Sequence, residues 1–172
     1  IIGDKSLSKR DFSRIIKPLK NFGAKFYSSQ KNKLPLSIIG PEMTRPINYI
    51  ENKGSAQCKS SVMLAALNTS GTTFIKAKKS RDHTELLFKY LKIPITIKKT
   101  EKFDYIKIKG KKKIPSFNYT IPADISSSAF FIVLTTLSNN SKLLIRNVNI
   151  NPSRTGIFKI LKKMGIKILI KN

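Results

Sequence analysis

Apolar residues at Phe12, Ile15, Ile16 and Leu19 recur in steps of three and four, so residues 8–21 read as a helix with one buried face. Ser8 followed by Asp11 has capping-box spacing, and Gly23 suits the position just past the helix end. Pro18 inside the pattern is expected to kink or shorten that helix. Residues 24–27 and 34–39 then read as strands around a polar turn at 28–33. A proline-containing loop near 40–46 and a short strand near 48–50 follow. Residues 55–67 form a second predicted helix, with Ser55 as N-cap and an unbroken apolar stretch from Val62 to Leu67. Apolar on most sides, it is expected to be sandwiched.

The alternation then shortens to strand period at 72–77, and a third helix is predicted at 82–91, where Asp82 and Glu85 again have capping-box spacing. Residues 93–97 and 105–108 read as a hairpin around 98–104, and the lysine-rich 109–113 as a solvated turn. Asp124 caps an apolar helix running through Leu137. After a loop at 138–141 come a strand at 143–148, a helix at 155–164 and a strand at 166–170. Two stretches share one order: strand, Ser-Arg, amphipathic helix, strand. They are 72–97 around Ser80-Arg81 and 143–170 around Ser153-Arg154. The order βαβαββ thus arises twice, the second time incompletely, which predicts an α/β chain. Residues 1–117 form one lobe and 118–172 the start of another, with the boundary in 109–117.

Composition narrows the chemistry. The chain has 172 residues and 40% hydrophobic content, enough for one ordinary domain or two small ones. Its formal charge of +25 would suit nucleic acid, but the excess is nearly all lysine. The only arginines are Arg10, Arg14, Arg45, Arg81, Arg146 and Arg154, and abundant Lys, Ile and Asn together point to A/T-rich codon drift. A nucleic-acid module would interleave aromatics with its basic patches, whereas 109–113 has none inside it and only Tyr105 and Phe117 at a distance. No nucleic-acid partner is therefore expected. Cys58 is the only cysteine and His83 the only histidine, which excludes an intrachain disulfide and a His/Cys zinc cluster and suits a reducing, cytoplasmic setting. No apolar run reaches the length of about 20 residues needed to span a bilayer, and Asp4, Lys5, Lys9 and Arg10 interrupt the start, which is not expected to be a signal peptide. Both ends read as cut, so the chain is expected to be an internal piece of a longer protein.

Four predicted helix starts carry small or polar residues, several beside a cation: Ser8-Lys9-Arg10, Ser55-Ala56-Gln57, Ser80-Arg81 and Ser153-Arg154. Free N–H groups and the positive dipole end favour phosphate or carboxylate there, and arginine adds a planar two-pronged donor. One such start merely caps its helix; four in one α/β chain point to a shared anion site. Gln57 offers both a donor and an acceptor. Asp124 reads as a cap, His83 as a surface or capping residue, and Cys58 as a buried inert thiol.

These motifs resemble one family. In order come Gly3-Asp4-Lys5-Ser6-Leu7-Ser8-Lys9-Arg10, Ser55-Ala56-Gln57-Cys58-Lys59-Ser60 and Ser80-Arg81-Asp82-His83-Thr84-Glu85. Then follow Pro122-Ala123-Asp124-Ile125-Ser126-Ser127-Ser128-Ala129-Phe130-Phe131 and Asn151-Pro152-Ser153-Arg154-Thr155-Gly156. Together they look like the 3-phosphoshikimate 1-carboxyvinyltransferases, also called 5-enolpyruvylshikimate-3-phosphate synthases, and most like the bacterial subgroup with glyphosate-tolerant members. The resemblance implies a two-lobed enolpyruvyl transferase fold of repeated βαβαββ units, incomplete here. It implies transfer of the enolpyruvyl group of phosphoenolpyruvate to the 5-hydroxyl of shikimate 3-phosphate, releasing phosphate, with no metal or organic cofactor, on the route to chorismate and the aromatic amino acids. The implied partners are those two small anions, and the full-length protein is expected to be a monomer.

By the same resemblance, Arg10 and Gln57 bind phosphoenolpyruvate, and Ser55, Ala56, Gln57 and Arg81 bind shikimate 3-phosphate. Asp124 and Arg154 are structural. No catalytic acid or base falls within this chain, so by itself it is expected not to turn over. Three positions depart from the pattern. Asp11 replaces a common proline, improving the helix start or weakening anion binding. Ala123 replaces a usual glycine, a strained choice if the backbone there needs positive φ. Cys58 replaces an apolar residue. The related UDP-N-acetylglucosamine enolpyruvyltransferases share the fold, but Ser55-Ala56-Gln57 and the 80–85 run suit the shikimate enzyme better.

Overall fold

The computed structural model describes residues 1–110 and 114–171 and divides into two compact units, Ile1–Pro115 and Ser116–Asn172. The expected solvated turn at 109–113 lies outside the described residues for Lys111, Lys112 and Lys113.

In the first unit, the single helix expected over 8–21 is two helices, α1 (Lys5–Ser8) and α2 (Ser13–Asn21). The Ser8–Asp11 capping box does not form because each residue is bonded elsewhere. Asp4, not Ser8, caps α1 by accepting the Leu7 N–H at 2.7 Å, and the Ser8 hydroxyl donates to the Gly3 carbonyl. Asp11 accepts the Ser13 N–H at 2.6 Å, so its carboxylate starts α2. Pro18 stays inside α2, which is shorter than its apolar pattern suggested. Gly23 is the stop expected of it: its N–H donates to the Lys20 carbonyl and the Ala24 N–H to that of Leu19, the crossed pair of a Schellman ending. Strands β1 (Lys25–Ser28) and β2 (Leu36–Ile39) pair antiparallel, and Ile16, Leu34 and Leu36 make a small core beside them.

The rest of this unit is one βαβαββ repeat: β3 (Asn48–Glu51), α3 (Ala56–Leu67), β4 (Thr72–Lys78), α4 (His83–Tyr90), β5 (Ile95–Lys99) and β6 (Phe103–Lys109). The sheet order is β3-β4-β6-β5, with β3 parallel to β4 and the β5–β6 hairpin antiparallel. Strict alternation decides the faces. Thr73, Ile75 and Ala77 of β4 and Asp104, Ile106 and Ile108 of β6 point inward, while Phe74, Tyr105 and Lys107 point out. The inner face packs on Val62, Met63, Ala66 and Leu67 of α3 and on Phe88 of α4, with Phe22 from the end of α2. Each of the larger apolar side chains among them contributes roughly 1.5–3 kcal/mol of transfer free energy. Helix α3 lies between α2 and the sheet as its composition required, although Leu64 on its remaining side is 54% exposed.

The capping box expected at α4 is also absent. Asp82 precedes the helix without capping it and instead accepts from Lys99 at 3.1 Å; Glu85 is drawn inward to Lys59. Charged partners from other elements outcompete the local N–H groups.

In the second unit, α5 (Ile125–Leu137) is capped by Asp124, which accepts the Ser126 N–H at 3.0 Å, and α6 (Gly156–Lys163) follows Thr155. The strands expected at 143–148 and 166–170 are not formed among the described residues; only a parallel bridge, Ala123 to Val148, is present. An apolar pattern selects a face but not a partner, and a strand exists only where another backbone supplies its hydrogen bonds. Ala123 is not among the residues with positive φ; it sits in that extended bridge, so the feared strain is absent. Helix α5 buries only Ile125 and leaves Phe130, Phe131, Leu134 and Leu137 exposed. Among the described residues, no helix is long and apolar enough to cross a membrane, and no cluster of three metal-ligating His, Cys, Asp or Glu side chains occurs.

Candidate anion-binding site

Because β3 and β4 are parallel neighbours, their carboxyl ends lie side by side, with Glu51 opposite Ala77. The loops leaving those ends therefore emerge together, the usual place for a ligand in an open α/β sheet. One carries Ser55-Ala56-Gln57 into α3, the other Ser80-Arg81 toward α4. The first loop is shaped by Glu51, a buried carboxylate accepting the Lys53 N–H at 2.9 Å and the Gly54 N–H at 2.7 Å. Gly54 then passes so close to the second loop that a Cβ there would lie 3.1 Å from the Lys79 carbonyl oxygen. Ser55 caps α3 by accepting the Cys58 N–H at 3.3 Å. Ala56 and Gln57 occupy the first turn, where backbone N–H groups lack intrahelical acceptors, and the Gln57 side chain is exposed.

A buried ion pair joins the helices that follow the two loops. Lys59 is fully buried, and its ammonium lies 2.5 Å from Glu85 Oε1 and donates to the Arg81 carbonyl at 2.9 Å. One residue on, the Ser60 and Thr84 hydroxyls share a hydrogen bond of 2.6 Å. The guanidinium-bearing side chain of Arg81 is exposed, beside Asp82, whose hydrogen bond holds the Lys99 ammonium's pKa above its ordinary value. Beneath the site, burial pushes the Tyr49 hydroxyl up to about 12, with the Cys58 thiol and the Glu51 carboxylate adding to the effect.

The structure thus brings Ser55, Ala56, Gln57 and Arg81 to one end of one sheet. Arg10 sits apart in the link between α1 and α2, exposed, its N–H donating to the Leu7 carbonyl; among the described residues no hydrogen bond or ion pair ties its side chain to that group. Ser8 closes a helix rather than opening one. In the second unit, Arg154 is engaged by Asp124 and Ser126. His83 is exposed in the first turn of α4, and Cys58 is buried. Sequence reasoning missed Lys59, Glu51 and Glu85. Charged residues on the inward side of a strand (Glu51) or of a helix (Lys59, Glu85) were the signal, and they do not name their partners.

The outer sheet face is of another kind. There a shallow groove runs past Ile50, Phe74, Lys76, Tyr105 and Lys107, and lysines and aromatics do interleave. Lys76 lies 4.7 Å from the Phe103 ring centre and Lys107 5.6 Å from that of Phe74, so these side chains cover one another.

The family description EPSP synthase (3-phosphoshikimate 1-carboxyvinyltransferase) matches residues 1–172. The chain is 42% identical, over its whole length, to a protein of Petrotoga mobilis named 3-phosphoshikimate 1-carboxyvinyltransferase, of which it spans 40%. It is 40% identical to one of the same name from a Pseudomonas strain, spanning 38% of it. An EPSP synthase structure from Acinetobacter baumannii superposes with a TM-score of 0.84 at 36% identity, over 99% of this chain and 38% of that one. The chain therefore spans about two fifths of the length of these relatives. With its βαβαββ unit and a family match running over residues 1–172, the chain belongs to the EPSP synthase (3-phosphoshikimate 1-carboxyvinyltransferase) family.

Proposed function

We propose that the protein containing this chain transfers the enolpyruvyl group of phosphoenolpyruvate to the 5-hydroxyl of shikimate 3-phosphate, releasing phosphate, in the cytoplasm and as a monomer. The observation that carries this reading is the joining of Ser55-Ala56-Gln57 and Arg81 at the carboxyl ends of two adjacent parallel strands. Helix-start N–H groups, a hydroxyl, an amide and a guanidinium suit a phosphorylated, carboxylated substrate. In this reading Ser55, Ala56, Gln57 and Arg81 hold shikimate 3-phosphate, and Gln57 and Arg10 hold phosphoenolpyruvate. Residues 1–117 belong to the first lobe and 118–172 begin the second. The apolar face of α5 suits an element with further chain packed on it. The acid–base groups are supplied by the remainder of a longer protein, and no metal or organic cofactor takes part.

Phosphate release from the two substrates by the full-length protein tests the activity. The same assay on the 172-residue chain is expected to read no higher than a no-protein control. Arg10→Ala is expected to weaken phosphoenolpyruvate binding by roughly 1.5–3 kcal/mol for each charge-assisted bond lost; an unchanged affinity removes Arg10 from the site. Competition by a UDP-sugar in place of shikimate 3-phosphate would favour the sister transferase. The interleaved lysines and aromatics of the outer sheet face motivate one more comparison, a gel shift with single-stranded RNA. Because lysine ammonium groups already lie over those rings, no salt-sensitive complex is expected.

A further inference from the structure

We propose that Lys59 is a positioning residue for the anion site: by gripping the Arg81 carbonyl from beneath, it sets where that arginine stands relative to Ser55-Ala56-Gln57. The inference rests on the reading of Arg81 as a substrate contact and adds the device that places it. Arg81 lies after the end of β4 at Lys78 and before the start of α4 at His83, so neither a ladder nor a helix fixes its backbone. Among the described residues, the hydrogen bond to its backbone is the one from Lys59 Nζ, 2.9 Å from the Arg81 oxygen. Lys59 is rooted in α3 one turn past Ser55, and its side chain is fully buried. Its position is therefore tied rigidly to the helix that presents Gln57.

Energetics argue that the pair is there for geometry. Desolvating an ammonium and a carboxylate cancels most of their attraction, so a well-packed apolar pair would serve the core as well or better. What an apolar pair cannot do is donate to a backbone carbonyl. Glu85, with 3% of its side chain exposed, makes the buried ammonium tolerable, and the Ser60–Thr84 hydrogen bond keeps α4 in register alongside.

The test uses the full-length protein and three variants. Lys59→Met/Glu85→Leu removes the grip while restoring an apolar core. Its melting temperature is expected to match or exceed that of the unsubstituted protein, while KM for shikimate 3-phosphate rises about tenfold or more, as loss of one charge-assisted contact produces. Glu85→Gln keeps the Lys59 donor, and is expected to lower the melting temperature but to raise KM less than the double variant does. A purely structural role predicts the opposite ranking, with KM following stability. A folded double variant with unchanged KM overturns the proposal, as does a larger KM increase in Glu85→Gln. Arg81→Ala separates the two levels. If it raises KM while the double variant does not, only the positioning role fails; if it leaves KM unchanged, the assignment of Arg81 to the substrate fails as well.

Discussion

Arg154 lies thirty residues after Asp124, yet its Nη2 donates to Asp124 Oδ1 at 2.8 Å and to Ser126 Oγ at 2.5 Å. The second Ser-Arg step of the chain is thus spent on the cap of α5. Its first counterpart, Arg81, instead leaves its side chain exposed and offers only its carbonyl to the interior. Two look-alike motifs consequently have different work.

That contact has a titration signature. The Ser126 backbone N–H, and after it the Arg154 guanidinium, hold the Asp124 carboxyl below its usual 3.8. A depressed folded-state pKa means that the stabilisation is present above 3.8 and is lost as pH falls through the folded value. Carbon-detected NMR titration of the Asp124 carboxyl is expected to give a midpoint under 3.8, with Arg154→Ala moving it part of the way back. A midpoint unaffected by that substitution would show the pair is not formed in solution.

Tyr49 behaves in the opposite sense. With its hydroxyl pushed up to about 12, the folded state favours the neutral phenol, so stability should fall as pH climbs from 10.0 through about 12. Ultraviolet difference titration is expected to show a tyrosine that ionises only near pH 12, and Tyr49→Phe should abolish that late step.

Gly110 is a steric test of the α3–sheet packing. A Cβ there would run into the carbonyl oxygens of Thr69 and Ala66, whereas one at Gly40 would meet nothing within 4 Å. Gly110→Ala is expected to destabilise by about 1–3 kcal/mol, since backbone must move to make room. Gly40→Ala should stay within roughly 0.5 kcal/mol of the parent. Equal denaturant midpoints for the two variants would contradict the packing of β6 on the end of α3.

Glu51 offers a test of the loop that presents Ser55. Its two carboxylate oxygens hold the Lys53 and Gly54 N–H groups, and charge-assisted hydrogen bonds of this kind are worth about 1.5–3 kcal/mol each. Glu51→Ala should therefore lower stability and speed amide exchange at Lys53 and Gly54, with Glu51→Gln intermediate. Unchanged exchange at those two amides would mean that the carboxylate does not shape the turn.

Much of the fold was legible because it depends on local chemistry. The alternation in β4 and β6, the Ser55 and Asp124 caps and the Gly23 stop each follow from a few consecutive residues, and each stands where periodicity placed it. The capping boxes at Ser8 and Asp82 failed for different reasons: Ser8 ends α1 and bonds back to Gly3, a local rival, whereas Asp82 is drawn to Lys99, which only the tertiary structure brings within reach. The strands expected at 143–148 and 166–170 failed for a related one, since their pattern specifies no neighbour.

The same division runs through the candidate site. Residue types and order alone marked Ser55, Ala56, Gln57 and Arg81 and tied them to a family, because helix starts and guanidinium groups have the same affinity for anions wherever they occur. That Ser55-Ala56-Gln57 and Arg81 share one end of the sheet, and that a buried lysine of α3 reaches the Arg81 carbonyl, was decided only when β3 and β4 aligned in parallel and carried Lys59 over Arg81 and Glu85. Partnership between residues distant in sequence depends on the distances that packing creates, and local periodicity contains no measure of those distances.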